Sequence, residues 1–149
     1  MRLDRSWIES HIPHKGGMCL LDEVVSWNEN EVRCRSASHR SADNPLRADG
    51  RLGSACAIEY AAQAMAVHGA LMASLTGNLA PAGLLASVRG VELLVKRLDD
   101  IGSDLIARVQ RLSGDPRVAL YEFAVSADEA MLSRGRAVIA FDNYDAVGN

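Results

Sequence analysis

One carboxylate interrupts the most apolar stretch of the chain. From Ala55 to Leu75 the sequence reads Ala-Cys-Ala-Ile-Glu-Tyr-Ala-Ala-Gln-Ala-Met-Ala-Val-His-Gly-Ala-Leu-Met-Ala-Ser-Leu, and Glu59 is its only acidic residue. A helix so small and apolar on nearly every face is expected to be buried. A buried carboxylate is costly unless paired or hydrogen-bonded, and groups of perturbed proton affinity gather at functional sites. Glu59 is therefore the first candidate for proton-transfer chemistry. His68 in the same run reads as a satisfied core histidine. His14, in Pro13-His14-Lys15-Gly16-Gly17, reads as a residue that holds a loop by hydrogen bonds. Cys56 lacks an obvious neighbouring base that would make it a nucleophile.

The elements that must position Glu59 follow from the local pattern. Ser6-Trp7-Ile8-Glu9 is a capping box, which predicts a short helix ending before Pro13. Met18 to Trp27 and Glu31 to Ser38 read as two strands joined by Asn28-Glu29-Asn30. His39 to Gly53 is irregular, and loops of that length inside a compact domain are often functional. The long helix runs from about Ser54 to Thr76, with Ser54 as N-cap and Gly77 as its stop. Strand patterns follow at Leu84–Val88, Val91–Leu98, Asp104–Leu112, Val118–Val125 and Met131–Phe141. Arg89-Gly90 reads either as a break or as a bulge within one long strand.

This order, one long apolar helix among five to six mainly antiparallel strands, is an α+β layout. The helix must lie on a sheet that curls around it, the hot-dog architecture, with residues 1–149 as one domain. Because the helix is apolar on more than one side, a second subunit is expected to cover it.

Composition sets outer bounds. The chain has 149 residues, 48% hydrophobic and 23% charged, which argues against disorder. The net charge of −3 provides no global field for nucleic acid. Cys19, Cys34 and Cys56 show no metal spacing and no closed disulfide framework, so reduced thiols in a cytoplasmic protein are expected. The N-terminus is too charged for a signal peptide. Glu59, Gln63 and His68 speak against reading the central run as a membrane span.

Three stretches together resemble the bacterial beta-hydroxyacyl-acyl-carrier-protein dehydratases of the hot-dog fold, most closely the dehydratase-like proteins of aryl-polyene pathways. Ile12-Pro13-His14-Lys15-Gly16-Gly17-Met18-Cys19-Leu20-Leu21-Asp22-Glu23-Val24 is similar to the family's opening loop and strand. Ile58-Glu59-Tyr60-Ala61-Ala62-Gln63-Ala64 resembles the start of its central helix. Leu132-Ser133-Arg134-Gly135-Arg136-Ala137 looks like its last strand.

The resemblance implies a homodimer or larger homo-oligomer with sites at the subunit interface. It implies dehydration of (3R)-3-hydroxyacyl thioesters held on the phosphopantetheine of acyl-carrier protein or on CoA. No metal or redox cofactor is implied, because the thioester itself acidifies the alpha carbon. Glu59 takes the place of the acid that protonates the departing hydroxyl. Gln63, one turn on, would steady it. The N–H at Ser54 would hold the thioester carbonyl, with Gly53 allowing close approach. The family's loop histidine falls on Asn44-Pro45, and asparagine takes no proton near neutral pH. Three readings stay open: a dehydratase with a displaced base, a hot-dog thioesterase using Glu59, and a catalytically silent acyl-binding or partner subunit. Lys96-Arg97 and Arg134–Arg136 read as a solvated face or as a docking patch for the carrier.

Overall fold

The computed structural model describes residues 2–141. Among these residues the α-helices are α1 (Arg5–His11) and α2 (Ala57–Leu75). Six strands follow in chain order: β1 (Glu23–Trp27), β2 (Glu31–Ser36), β3 (Gly83–Leu93), β4 (Leu105–Gly114), β5 (Val118–Ala127) and β6 (Ala130–Phe141). They form one antiparallel sheet in the order β1-β2-β4-β5-β6-β3. The inward residues of β4 and β5 alternate with outward ones, and Val109, Tyr121, Phe123 and Val125 are buried in the core shared with α2. This is the hot-dog arrangement, a long helix wrapped by a sheet.

Several boundaries differ from the sequence pattern, each for a local reason. The N-cap of α1 is Asp4, not Ser6, and its carboxylate accepts from the Trp7 N–H at 3.1 Å. Gly16–Met18 forms a 3₁₀ turn, which shortens β1 to Glu23–Trp27. Ser38–Arg40 is likewise a 3₁₀ turn. Ser54–Cys56 makes a third, so α2 begins at Ala57, and Ser54 provides no side-chain cap. The far end of α2 behaves as expected. Gly77 has φ +73°, and Asn78 N–H bonds Ala73 C=O at 3.0 Å, closing a Schellman motif. Leu84–Val88 and Val91–Leu93 belong to one strand, with a bulge between Arg89 and Glu92 where Gly90 takes φ +59°.

β3 ends the sheet, so one edge of this 11-residue strand is unpaired. Leu84 is 72% exposed, and Leu93 and Leu94 beside it are about half exposed. A long, apolar, open edge is a ready template for another chain. Among the described residues no helix is long and apolar enough to cross a membrane.

Two histidines are fully buried. His68 Nε2 donates to the carbonyls of Asn28 and Glu29, at 3.3 and 3.1 Å, so its Nδ1 accepts from the Tyr121 hydroxyl at 2.9 Å. His39 Nε2 donates to Ile101 C=O at 3.0 Å. Burial pulls both below the usual 6.5. The unfolded chain therefore binds these protons first on acidification. Stability from this source is complete above about pH 6.5 and is lost as pH falls below it. Denaturant midpoints are expected to drop between about pH 7 and pH 5.5. A midpoint that holds level or rises over that range contradicts this account.

Candidate active site

The N-terminal loop is fixed to α2 by one buried amide. Gln63 Nε2 donates to Met18 C=O at 2.7 Å, and its Oε1 accepts from Leu20 N–H at 2.8 Å. Both groups of the amide are thus engaged with the loop. This corrects the expectation that Gln63 steadies Glu59. Helix α1 holds the same loop from its other side. Arg5 donates to Gly16 C=O at 2.8 Å, Glu9 accepts from Gly16 N–H at 3.2 Å, and Lys15 donates to the Glu9 carbonyl. The left-handed φ of +55° at Gly16 lets the chain turn between these anchors.

His14 hangs in the loop so fixed. It is half-buried, and among the described residues its buried Nδ1 has no hydrogen-bond partner. Burial lowers its pKa from 6.5, and the nearby Glu59 carboxylate raises it in part. The imidazole is therefore mainly neutral at pH 7 and lies within electrostatic reach of Glu59. Sequence reasoning assigned His14 to loop structure. The signal for a larger role was its place in the Pro-His-Lys-Gly-Gly motif, four and six residues ahead of the two residues that Gln63 grips.

Glu59 lies in the first turn of α2 and is exposed, which corrects the expectation of a buried carboxylate. The chain's own sheet covers only one side of the helix. Glu59, Ala62, Ala66, Gly69 and Ala73 share the other side, and each keeps some exposure. Cys56, one turn before Tyr60, keeps its thiol raised chiefly by burial and then by Glu59, an inert setting for a nucleophile.

The helix entrance is arranged differently from expectation. Ser54 N–H donates to Lys96 C=O at 3.2 Å and is not free to hold a carbonyl. The pairing of Gly53 with Arg97 brings these backbones together. Among the described residues the buried Ser54 hydroxyl has no partner. Gly53 borders open space, since a side chain there would meet nothing within 4 Å.

Asn44 is buried in a separate network. Its Nδ2 donates to Ser38 C=O at 2.9 Å and to the Tyr60 hydroxyl at 3.0 Å, while its Oδ1 accepts from Leu46 N–H at 2.9 Å. Ser38 Oγ also meets Tyr60 at 2.8 Å. All of its polar groups are occupied in holding the loop onto α2. Asn44→His is expected to lower stability by about 1–3 kcal/mol through lost buried bonds, without raising turnover. Denaturant unfolding beside an activity assay checks both halves, and a gain in turnover contradicts it.

The model of the ApeP-like family, described as ApeP dehydratase, matches residues 6–146. This chain belongs to the ApeP-like dehydratase family. The match takes in the His14 loop, Glu59 and the whole sheet. The structure is similar to that of the dehydratase heterocomplex ApeI:P from Xenorhabdus doucetiae, at TM-score 0.81 and 24% identity over 95% of this chain and 97% of that one. It is also similar to a Shewanella oneidensis protein provisionally assigned as a thioesterase, at TM-score 0.63 and 12% identity over 92% and 93% of the two chains. At these identities the likeness shows the hot-dog fold. No curated protein is significantly similar to this chain.

Proposed function

We propose that this ApeP-like protein dehydrates (3R)-3-hydroxyacyl thioesters, as in aryl-polyene or related lipid pathways, with the acyl group on a carrier's phosphopantetheine. The observation that carries the reading is the match of residues 6–146 to the ApeP dehydratase family, and His14 lies within electrostatic reach of Glu59 on this frame. A displaced base for the missing loop histidine is thereby available. Glu59 alone would serve a thioesterase; elimination needs a proton removed from C2 and another given to the C3 hydroxyl.

The step balances on these residues. Neutral His14 takes the C2 proton, and the electron pair forms the C2–C3 double bond. The C3–O bond breaks, and the departing oxygen takes a proton from Glu59 to leave as water. His14 is left as imidazolium beside a Glu59 carboxylate, and their attraction favours this charged pair. Passing the proton from His14 back to Glu59 restores the starting state. The reaction as written draws on no metal or redox group.

We further infer a partner subunit along β3, either a second copy or a related chain. The open apolar edge and the uncovered side of α2 support it. The Xenorhabdus structure is itself a heterocomplex, which is the specific reason to keep a non-identical partner beside the homodimer.

Incubation with a 3-hydroxyacyl-carrier thioester is expected to give the trans-2-enoyl thioester without free thiol. Release of free thiol and acid would establish the thioesterase instead. Absence of any product, from the chain alone and from its complex with a partner subunit, would leave the silent-subunit reading.

A further inference from the structure

The outer face of the sheet carries a row of arginines for which the candidate site has no use. Arg108 on β4, Arg134 and Arg136 on β6 and Arg89 on β3 line an open groove of about 510 Å³, together with Glu92 and Glu122. Small residues, Ala124 and Gly135, complete its middle. The groove thus brings together four guanidinium groups and two carboxylates in a chain whose net charge is −3.

Strand register sets like charges against each other. Arg89 stands opposite Arg136, and Arg33 stands opposite Arg108. Like charges directly opposite one another on a sheet are destabilising. Internal ion pairs relieve this only in part. Arg134 pairs with Glu92, and Arg108 with Glu31 at 3.1 Å, but Arg136 meets Glu122 only at 3.9 Å. Among the described residues Arg89 makes no ion pair. The same register also sets Glu92 opposite Arg134 and Glu122 opposite Arg136, so the surplus positive charge of the groove rests on Arg89 and Arg108.

We propose that this groove is the docking surface for an acidic protein that delivers the acyl thioester, a carrier domain whose acidic helix lies along the arginine row. The identity of the cargo rests on the dehydratase reading; the charge complementarity does not. The cations lie on β4, β6 and β3, with β5 and its Glu122 between the first two, and neighbouring strands are about 4.8 Å apart. The cations form an open line, which suits several carboxylates in a row better than one small phosphate. The groove also borders β3, the edge beside which a partner subunit is inferred.

The test is binding of a fluorophore-labelled, phosphopantetheine-bearing acyl-carrier protein, read by anisotropy at about 50 and about 200 mM salt. Wild-type affinity is expected to fall with salt. The double variant Arg89→Gln, Arg136→Gln is expected to bind at least about tenfold more weakly at the lower salt, with a flatter salt response. Arg2→Gln, a charge loss at the exposed N-terminus, is expected to bind as wild type does. Because the double variant removes a like-charge pair, it is expected to melt no lower than wild type, which separates docking from unfolding. Unchanged affinity in the double variant, or wild-type binding that is weak at both salts, overturns the proposal. Turnover of a small pantetheine thioester tests the reaction separately. Arginine-dependent binding without that turnover removes the dehydratase reading alone, and turnover without arginine-dependent binding removes the docking surface alone.

Discussion

Replacing His14 by asparagine is expected to lower kcat by about a hundred- to ten-thousand-fold, the usual range for a lost general base. Its Nδ1 holds no hydrogen bond among the described residues, so the substitution breaks none there. The loop keeps its grip on Gln63 and α1. Melting behaviour should therefore stay near that of wild type while turnover collapses. Glu59→Gln is expected to fall by a similar factor, because the amide cannot supply the proton to the leaving hydroxyl. The two losses should not add, since the residues act on one transfer.

The pH dependence separates a base from a mere spacer. His14 must be neutral to accept the C2 proton while Glu59 holds the proton it gives, so the active pair carries one proton and kcat/KM should fall on both sides of an optimum. Burial lowers the His14 pKa from 6.5, and Glu59 partly restores it. In Glu59→Gln only His14 titrates, so the residual activity should keep an acid limb and lose the alkaline one. An alkaline limb that persists in Glu59→Gln, or a His14→Asn variant with wild-type turnover, would sink the assignment.

The sequence showed one half of this pair and hid the other for physical reasons. Glu59 stood out because a lone carboxylate in an apolar helix carries a desolvation question in its very composition. His14 has no such contrast, because its neighbours are loop residues without periodicity. Its approach to Glu59 depends on Gln63 reaching residues 43 and 45 positions away. No local pattern encodes such a contact. The exposure of Glu59 was hidden for a related reason. A helix apolar on all sides reads as buried, and the chain's own sheet covers only part of it. The stop of α2 at Gly77 and the strand spacing after it were legible because turn chemistry and alternation are local properties. The start of α1 was not, since Asp4 and Ser6 are both competent caps two residues apart and Glu9 bonds Arg5 and Gly16 instead.

Gln63→Leu is expected to damage both stability and turnover, in a way that marks Gln63 as a positioning residue. Leucine keeps the volume but leaves the buried Leu20 N–H without its acceptor, a loss of about 1–3 kcal/mol from that group alone. Gln63 is only 2% exposed, so little water reaches the gap. Met18 also loses its donor, and the segment leading back to His14 is freed from α2. A displacement of about 1 Å at a reacting group is enough to lower a rate about a hundredfold. Turnover in Gln63→Leu should therefore fall mainly in kcat at temperatures well below its melting point. The conservative change Gln63→Glu offers a check, since a carboxylate still accepts from Leu20 but cannot donate to Met18 unless protonated. Its kcat should recover as pH is lowered toward the carboxyl range, against the decline imposed by His14. Equal kcat in wild type and Gln63→Leu at matched fraction folded would show that the clamp holds the fold and not the base.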